Sequence, residues 1–294
     1  MFNTIKNSFW LMVLTIAYSL SNLAQAEILP QAEVALKITL AQKSTSRPMS
    51  VAYIPAFNKY YIADGGLAPM GSDTEAPMSK SLIHCYDATG KYISSARPGY
   101  DNRSIYFNPN TNKLETITYN VSSDASFTPN SGIYAINLTE TGELKDTSDE
   151  VSQVNPAFGH AGTMPTYDAV NKRYFAKQGR SNKVFIVDPE KSEKIGEITL
   201  DLAGAKVAFD DISDLFAAYT GIKGEELLLL DVDHKAILVF DITGKYVGKS
   251  ELPKALKLHA NNYYVGLGYA NNLFFVLNES EGEFGTYYAF KVQK

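Results

Sequence analysis

A strand–turn–strand phrase recurs along this chain about every 50 residues. It reads Ile-Leu-Val-Phe-Asp-Ile-Thr-Gly-Lys-Tyr-Val at 237–247 and Ile-His-Cys-Tyr-Asp-Ala-Thr-Gly-Lys-Tyr-Ile at 83–93. A phrase that recurs at a fixed period indicates a repeat architecture, in which each unit stacks on the next. The polar residue that ends the first strand of the phrase recurs with gaps of 50, 51, 53 and 50, at Asp87, Asn137, Asp188, Asp241 and Lys291.

Each repeat predicts four short strands joined by turns. In the first unit the strands fall at 50–54, 59–64, 83–87 and near Tyr92, and turn-forming residues separate them. A four-stranded meander of this length is the size of a propeller blade, and it can bury both faces only against neighbouring units. The turn between the first two strands carries an asparagine in four units, at Asn58, Asn112, Asn171 and Asn271.

We therefore expect an all-β fold consisting of a single β-propeller. Five blades can be counted, and a sixth would need a degenerate blade within 200–215 or 147–163. The last unit lacks a fourth strand, which the unpaired segment 34–40 can supply by pairing with 287–292, and this pairing would close the ring. The alternatives are an open solenoid, whose coils are shorter than this period, and a two-sheet sandwich, which needs no repeat.

The first 26 residues have the pattern of a secretory signal peptide. Lys6 precedes an uncharged apolar run at 9–20, and Ala24-Gln25-Ala26 has the small-x-small pattern of a cleavage site. The alternative is an uncleaved anchor, but the apolar run is shorter than the roughly 20 residues that span a bilayer. We predict a signal peptide at 1–26, a propeller domain at 27–294, and export to the periplasm or the cell exterior, with no membrane span after cleavage.

Composition restricts the partners. The formal net charge is −5 and the chain has no basic cluster, which argues against nucleic acid or an anionic membrane surface as a partner. Cys85 is the one cysteine, so no internal disulfide can form. We expect Cys85 to be a buried strand residue, and its neighbour His84 to point to the opposite face, where the two cannot share a metal.

Two phrases resemble NHL-type propeller repeats. One is Arg-Pro-Met-Ser-Val-Ala-Tyr at 47–53 with Tyr-Ile-Ala-Asp at 61–64, and the other is Val-Phe-Asp-Ile-Thr-Gly-Lys-Tyr-Val at 239–247. The match is good in the first and fourth units and weak in the other three. The resemblance implies a propeller fold over most of the chain, but it implies no specific activity, because this fold carries many functions.

The candidate site lies on the propeller face formed by two sets of loops. These loops join the fourth strand to the next unit and the second strand to the third, and loops on a rigid scaffold commonly carry binding sites. We expect a small ligand or a protein partner there, and weaker binding when Arg103 or His160 is replaced. The candidate residues are Arg47, Asp64, Asn102, Arg103, Tyr119, His160, Lys177, Asp211 and His259.

The favoured function is a binding or scaffold protein, because no catalytic motif is present. The alternative is a metal-assisted hydrolase or lyase acting through His160, His259 and a nearby aspartate. We predict no cofactor, although Asp210, Asp211 and Asp214 could bind calcium or another divalent ion if they converged, and this segment lacks the glycine and final glutamate of a calcium loop. A third hypothesis is an interaction module that uses the blade edges. Aromatic residues such as Tyr106 are expected mainly to pack between blades.

We expect the exported protein to begin at Glu27. N-terminal sequencing and intact mass of protein recovered outside the inner membrane should show the loss of residues 1–26. The variant Ala26→Arg removes the small residue before the cleavage point, and it should retain the leader. Recovery of a wild-type chain that still starts at Met1 would contradict this expectation.

Overall fold

A computed structural model describes residues 27–45, 47–65, 81–99, 101–118, 132–152, 156–160 and 162–294. The predicted signal peptide and Tyr119 lie outside these ranges. The described residues contain twenty strands, an α-helix at Leu202–Ala205, and short 3-10 helices at Pro156–Phe158, Phe209–Asp211 and Ala260–Tyr263. Among them, no helix is both long enough and apolar enough to cross a membrane.

Three sheets have four antiparallel strands each, and consecutive strands pair as a meander. The first sheet contains β2 (Arg47–Ile54), β3 (Lys59–Gly65), β4 (Ile83–Asp87) and β5 (Tyr92–Ala96). The second contains β6 (Asn102–Asn108), β7 (Lys113–Thr118), β8 (Gly132–Leu138) and β9 (Leu144–Ser152). The third contains β10 (Thr166–Asp168), β11 (Arg173–Lys177), β12 (Lys183–Asp188) and β13 (Glu193–Thr199).

The remaining strands form one sheet of eight, in which two meanders flank the first strand of the described chain, β1 (Ile28–Thr39). On one side are β14 (Ala218–Tyr219), β15 (Leu227–Asp231), β16 (Ala236–Phe240) and β17 (Tyr246–Glu251). On the other side are β18 (Leu267–Ala270), β19 (Leu273–Asn278) and β20 (Thr286–Gln293).

Strand β1 connects the two halves of this sheet. It pairs antiparallel with β20, where Val34 lies opposite Phe290 and Ile38 opposite Tyr287. Near its start it also pairs in parallel with β17, where Gln31 lies opposite Glu251. The pairing of 34–40 with 287–292 that the sequence predicts is therefore present, and β1 also forms an unexpected contact with the preceding meander.

The repeated phrase forms the same turn in the two units where it is best preserved. The Asp87 carboxylate accepts hydrogen bonds from the amides of Thr89 and Lys91 at 2.8 and 3.0 Å. The Asp241 carboxylate accepts the equivalent bonds at 2.8 and 3.1 Å. The glycines of the two turns have φ of 85° and 87°, a conformation that favours glycine. Hydrogen bonds from Thr89 and Lys91 hold the pKa of Asp87 below its usual value.

Three of the four asparagines that recur in the first hairpin turn adopt the same backbone conformation. Asn58, Asn112 and Asn271 adopt left-handed φ of 52°, 55° and 52°, which asparagine tolerates better than most residues. In the third turn the left-handed residue is Lys172 instead, with φ of 50°. There the Asn171 side chain donates to Asp168 at 2.8 Å, so it stabilises the turn through its amide rather than its backbone.

The first strands of the five meanders are neighbours at the centre of the molecule. Strand β2 contacts β6, and contacts continue from β6 to β10, β14 and β18 and then back to β2. Hydroxyl groups join these strands to the next sheet: Ser50 Oγ donates to Arg103 O at 3.0 Å, and Thr166 Oγ1 donates to Ala217 O at 3.1 Å. Ser104 Oγ donates to the Pro165 carbonyl in the same way. The meanders are therefore held together by specific polar contacts as well as by apolar packing.

Replacing Ile38 with alanine should destabilise the protein strongly, because this β1 side chain is fully buried against the β20 meander. We expect the free energy of unfolding to fall by about 2–4 kcal/mol, measured by urea denaturation. Val34→Ala is the matched control, since Val34 lies on the same strand but is 43% exposed, and it should cost less than about 1 kcal/mol. Equal losses for the two variants would show that burial of β1 contributes little.

Candidate functional site

A cavity of about 380 Å³ lies at the centre, between the five innermost strands. It is bounded partly by the turns that join the first and second strands of the meanders, including Pro55, Pro109 and Asn271. The volume is within the range of small-molecule sites. Among the residues that the structure describes, no Lys, Arg, His, Asp or Glu lines the cavity; the polar lining consists of hydroxyl and amide side chains, among them Ser50, Ser104, Thr166 and Asn272.

Each innermost strand contributes one tyrosine to the cavity wall. All five are partly exposed, whereas most residues beside them are buried. The rings are therefore positioned by the core, and part of their surface is available to a molecule in the cavity. The five residues are Tyr53, Tyr106, Tyr167, Tyr219 and Tyr269.

The hydroxyl groups of three of these tyrosines have hydrogen-bond partners, and a fourth lies near a carboxylate. Tyr53 donates to Asn58 Oδ1 at 2.7 Å, and the Tyr167 hydroxyl accepts from Asn110 Nδ2 at 3.3 Å. Tyr106 donates to Glu115 Oε2 at 2.8 Å. The Asp168 carboxylate lies near Tyr219; burial, with a contribution from this carboxylate, raises the pKa of Tyr219 to about 12.

The fifth hydroxyl, that of Tyr269, is buried and has no hydrogen-bond partner within the described chain. Burial alone raises the pKa of this phenol. A buried hydroxyl without a partner costs free energy, so such groups are rare in folded proteins and indicate a place where a water or ligand can bind.

Two buried carboxylates lie directly behind the tyrosines. The Glu115 side chain accepts from Tyr106, from Asn108 Nδ2 at 3.0 Å and from Thr111 Oγ1 at 2.8 Å, all of them neutral donors. Asp168 is fully buried and is paired with Arg173 Nε at 3.0 Å. The described residues of the cavity wall are thus uncharged, but the Glu115 and Asp168 carboxylates lie immediately outside it.

None of the predicted site residues that the structure describes lines this cavity. Four of them lie together where the first two sheets meet, and they are held by local hydrogen bonds. Asp64 accepts from the amide of Thr45, and Asn102 donates to Ser81 Oγ through its amide and its side chain at 3.0 and 2.8 Å. Arg103 forms a buried pair with Asp101 through Nε and Nη2 at 3.0 and 2.8 Å. Arg47 pairs with Gly65 in the same sheet.

Lys177 is the most completely buried of the remaining predicted residues. Its ammonium group donates to three carbonyls, those of Gln178 at 3.0 Å, Asp214 at 3.1 Å and Ser181. Burial lowers the pKa of Lys177 to about 8. Because all three donors have acceptors, this side chain connects loops rather than facing a ligand.

The other three predicted residues are separate from one another in their hydrogen bonding. His160 Nδ1 accepts from the Gly162 amide at 3.0 Å, whereas His259 Nδ1 lies 2.9 Å from Glu279. Asp211 accepts from the Ala208 amide at 2.7 Å. Across the described ranges, no three His, Cys, Asp or Glu side chains come close enough together to bind a metal ion.

The tyrosine set could have been found in the sequence. A tyrosine falls near the end of the first strand in every repeat, in the contexts Ala-Tyr-Ile, Ile-Tyr-Phe, Thr-Tyr-Asp, Ala-Tyr-Thr and Gly-Tyr-Ala. The gaps are 53, 61, 52 and 50 residues, and the long second gap hides the period. Of these five residues, Tyr106 alone was named from the sequence, and aromatic residues were expected to serve mainly in packing.

His84 and Cys85, next to each other on β4, are both buried away from the cavity. Cys85 is inaccessible, as expected, and burial raises the pKa of its thiol to about 11. His84 Nδ1 lies 2.7 Å from Ser95 Oγ, and its Nε2 has no partner within the described chain. Burial, with a smaller contribution from Arg97, lowers the pKa of His84 to about 4.

This low pKa should make the protein less stable in acid. Because folding depresses the pKa of His84, its neutral form contributes stability above pH 6.5, and that stability is lost as the pH falls towards 4. Between these limits His84 should account for a loss of up to about 3 kcal/mol. Urea denaturation of wild type and His84→Gln at pH 7 and pH 4.5 isolates this contribution. An equal pH dependence in both proteins would contradict it.

Comparison with known proteins gives matches by structure but not by sequence. No protein-family model matches the chain, and no curated protein matches it. The glutaminyl cyclase of Myxococcus xanthus aligns with a TM-score of 0.52 and 10% identity, covering 90% of this chain and 98% of that one. The periplasmic gluconolactonase of Pseudomonas aeruginosa has a TM-score of 0.39 and 13% identity, over 85% and 72% of the two chains. A nidogen/laminin complex has a TM-score of 0.37 and 14% identity, over 69% and 63%.

These neighbours are propellers. The cyclase match shows a similar fold over most of both chains, while the other two scores are too low to support an argument. Identities this low are evidence of fold alone. Together with the four-stranded meanders, the match shows that this chain has an all-β fold of the β-propeller class. The fold-level resemblance to propeller repeats that the sequence indicates is confirmed.

Proposed function

We propose that this protein is a five-bladed β-propeller that binds a small molecule in its central cavity. Two observations support the blade count and the closed ring: contacts between innermost strands run from β2 through β6, β10, β14 and β18 back to β2, and β1 supplies the fourth strand of the last meander. In this arrangement the cavity is the hub of the ring.

The observation that carries the binding function is the composition of the cavity wall. Every blade contributes a partly exposed tyrosine, and hydroxyl and amide groups lie between the rings. Rigid aromatic surfaces combined with a few polar groups are what small-molecule sites usually present. The enzyme alternative has no comparable support, because His160 and His259 have separate hydrogen-bond partners within the described chain.

The sequence predicts a binding site on the loops at one end of the innermost strands. The proposed site lies at the opposite end of these strands. Consecutive turns of a meander alternate between the two ends of a sheet, and the cavity is bounded by turns between first and second strands. On the other face, the Arg103–Asp101 pair and Lys177 have their hydrogen bonds satisfied by the protein itself. We further infer from the N-terminal signal that the ligand is met in the periplasm or outside the cell.

Blocking the cavity should abolish binding. In the variant Asn272→Cys a bulky maleimide can be attached at the cavity lining, and the native Cys85 is too buried to compete for the label. A panel of organic cations, sugars, carboxylates and aromatic amides would be screened by the rise in Tm. We expect one class to stabilise the unlabelled protein by RT ln(1 + [L]/Kd) and the labelled variant not at all.

The control is Lys235→Cys with the same label. Lys235 has a left-handed φ of 52°, and the φ of Asn272 is left-handed too. Lys235 lies in the turn between β15 and β16, at the end of its sheet that is opposite the cavity. Its labelled form should keep the full rise in Tm. If labelled Asn272→Cys also keeps it, the ligand binds elsewhere; if no class raises the Tm of wild type, the proposed function is wrong.

A further inference from the structure

The central cavity combines three features that concern the charge of its ligand. The described part of its wall contains five tyrosine rings and no ionisable acid or base other than these phenols. The face of an aromatic ring carries partial negative charge, which attracts cations and not anions. Among the described lining residues, an anionic ligand would find no lysine, arginine or histidine to pair with.

A carboxylate behind one of the rings strengthens this preference. The Tyr106 hydroxyl donates to Glu115 at 2.8 Å. A phenol that donates to a carboxylate has a more electron-rich ring, and the buried negative charge of Glu115 itself attracts a cation. Tyr106 belongs to the second meander, so the effect acts on the cavity from that side.

Glu115 lacks a cationic partner among the described residues. It is 1% exposed, and its hydrogen-bond donors are Tyr106, Asn108 and Thr111, all of them neutral. Asp168, in contrast, is neutralised by Arg173 at 3.0 Å. A buried charge is normally paired, so an unpaired carboxylate one residue away from a cavity indicates that the missing positive charge can come from a ligand.

We propose that the cavity binds an organic cation, of the quaternary or methylated ammonium class, against the five tyrosine rings. This inference rests on the proposed function, because it names the ligand class of the same site. Aromatic surfaces are well suited to such ligands, since methylated ammonium groups are weakly hydrated and gain from contact with several rings at once. Glu115 acts through Tyr106 and through its field, and it is a positioning residue rather than a direct contact.

Choline and its uncharged isostere 3,3-dimethylbutan-1-ol are the probes that test this. The two have nearly the same shape and differ in the charge, so isothermal titration of wild type with each compound isolates the contribution of that charge. We expect choline to bind at least about tenfold more tightly, in line with the strength of desolvated cation–π contacts. Affinities within twofold of each other would overturn the proposed ligand class while leaving the cavity as a binding site.

Glu115→Gln removes the buried charge and keeps the size of the side chain. It should weaken choline binding about fivefold and leave the neutral isostere within about twofold, a selective effect that mere loosening of the structure would not produce. Glu190→Gln, in an exposed turn of the third meander, is the control and should change neither affinity. Equal weakening of both probes by Glu115→Gln would contradict the proposed role of the charge.

A second pair of variants keeps the proposal testable if Glu115→Gln folds poorly. Tyr167→Leu removes one cavity ring and should lower choline affinity about threefold to tenfold, whereas Tyr264→Leu, at a 52% exposed position outside the cavity, should leave it unchanged. Binding of a sugar or carboxylate but not choline, blocked by the Asn272→Cys label, would overturn the cation class alone. Failure of every compound to bind would overturn both proposals.

Discussion

Hydrogen bonds between neighbouring innermost strands are the interaction on which the rest of the structure depends. Ser50, Ser104 and Thr166 each donate a hydroxyl to a backbone carbonyl of the next meander. On the other side of the first meander, Tyr287 donates to the Met49 carbonyl at 2.7 Å. Apolar faces alone would let adjacent sheets slide, because the hydrophobic effect is not directional. A directed hydrogen bond at each of these junctions fixes the position of one sheet relative to the next. This relative position sets the spacing of the tyrosines around the cavity.

Strand β1 adds a second constraint at the periphery. Ile38 of this strand and Leu40 just beyond its end are buried against the last meander, while near its start β1 forms a bridge to Glu251 in the preceding one. One strand therefore covers the open edge of the last meander and reaches the outer strand of its neighbour, so that two meanders share one sheet. A strand edge left uncovered there would be a site for unwanted pairing with other chains.

The sequence was informative where a local pattern has one structural outcome. The Asp-x-Thr-Gly-Lys phrase forms one kind of turn, and the Asp87 and Asp241 carboxylates make the same bonds in both copies. The location of the cavity could not be predicted in this way. The length of a loop does not show at which end of the innermost strands a cavity remains open. Charged residues such as Arg103 and Lys177 suggested a binding site, but the fold had already used their hydrogen-bonding capacity.

The two ends of the innermost strands differ in how charge is arranged, and this difference has a physical basis. At the loop end, Arg103 is paired with Asp101, and Lys177 is surrounded by three carbonyl oxygens. Groups whose partners are all supplied by the protein stabilise the connections between meanders but gain little from a ligand. At the turn end the surface is neutral, the nearby Glu115 carboxylate has neutral partners, and the Tyr269 hydroxyl has none in the described chain. A ligand bound at this end can therefore still gain favourable interactions with these groups, which is the physical requirement for a binding site.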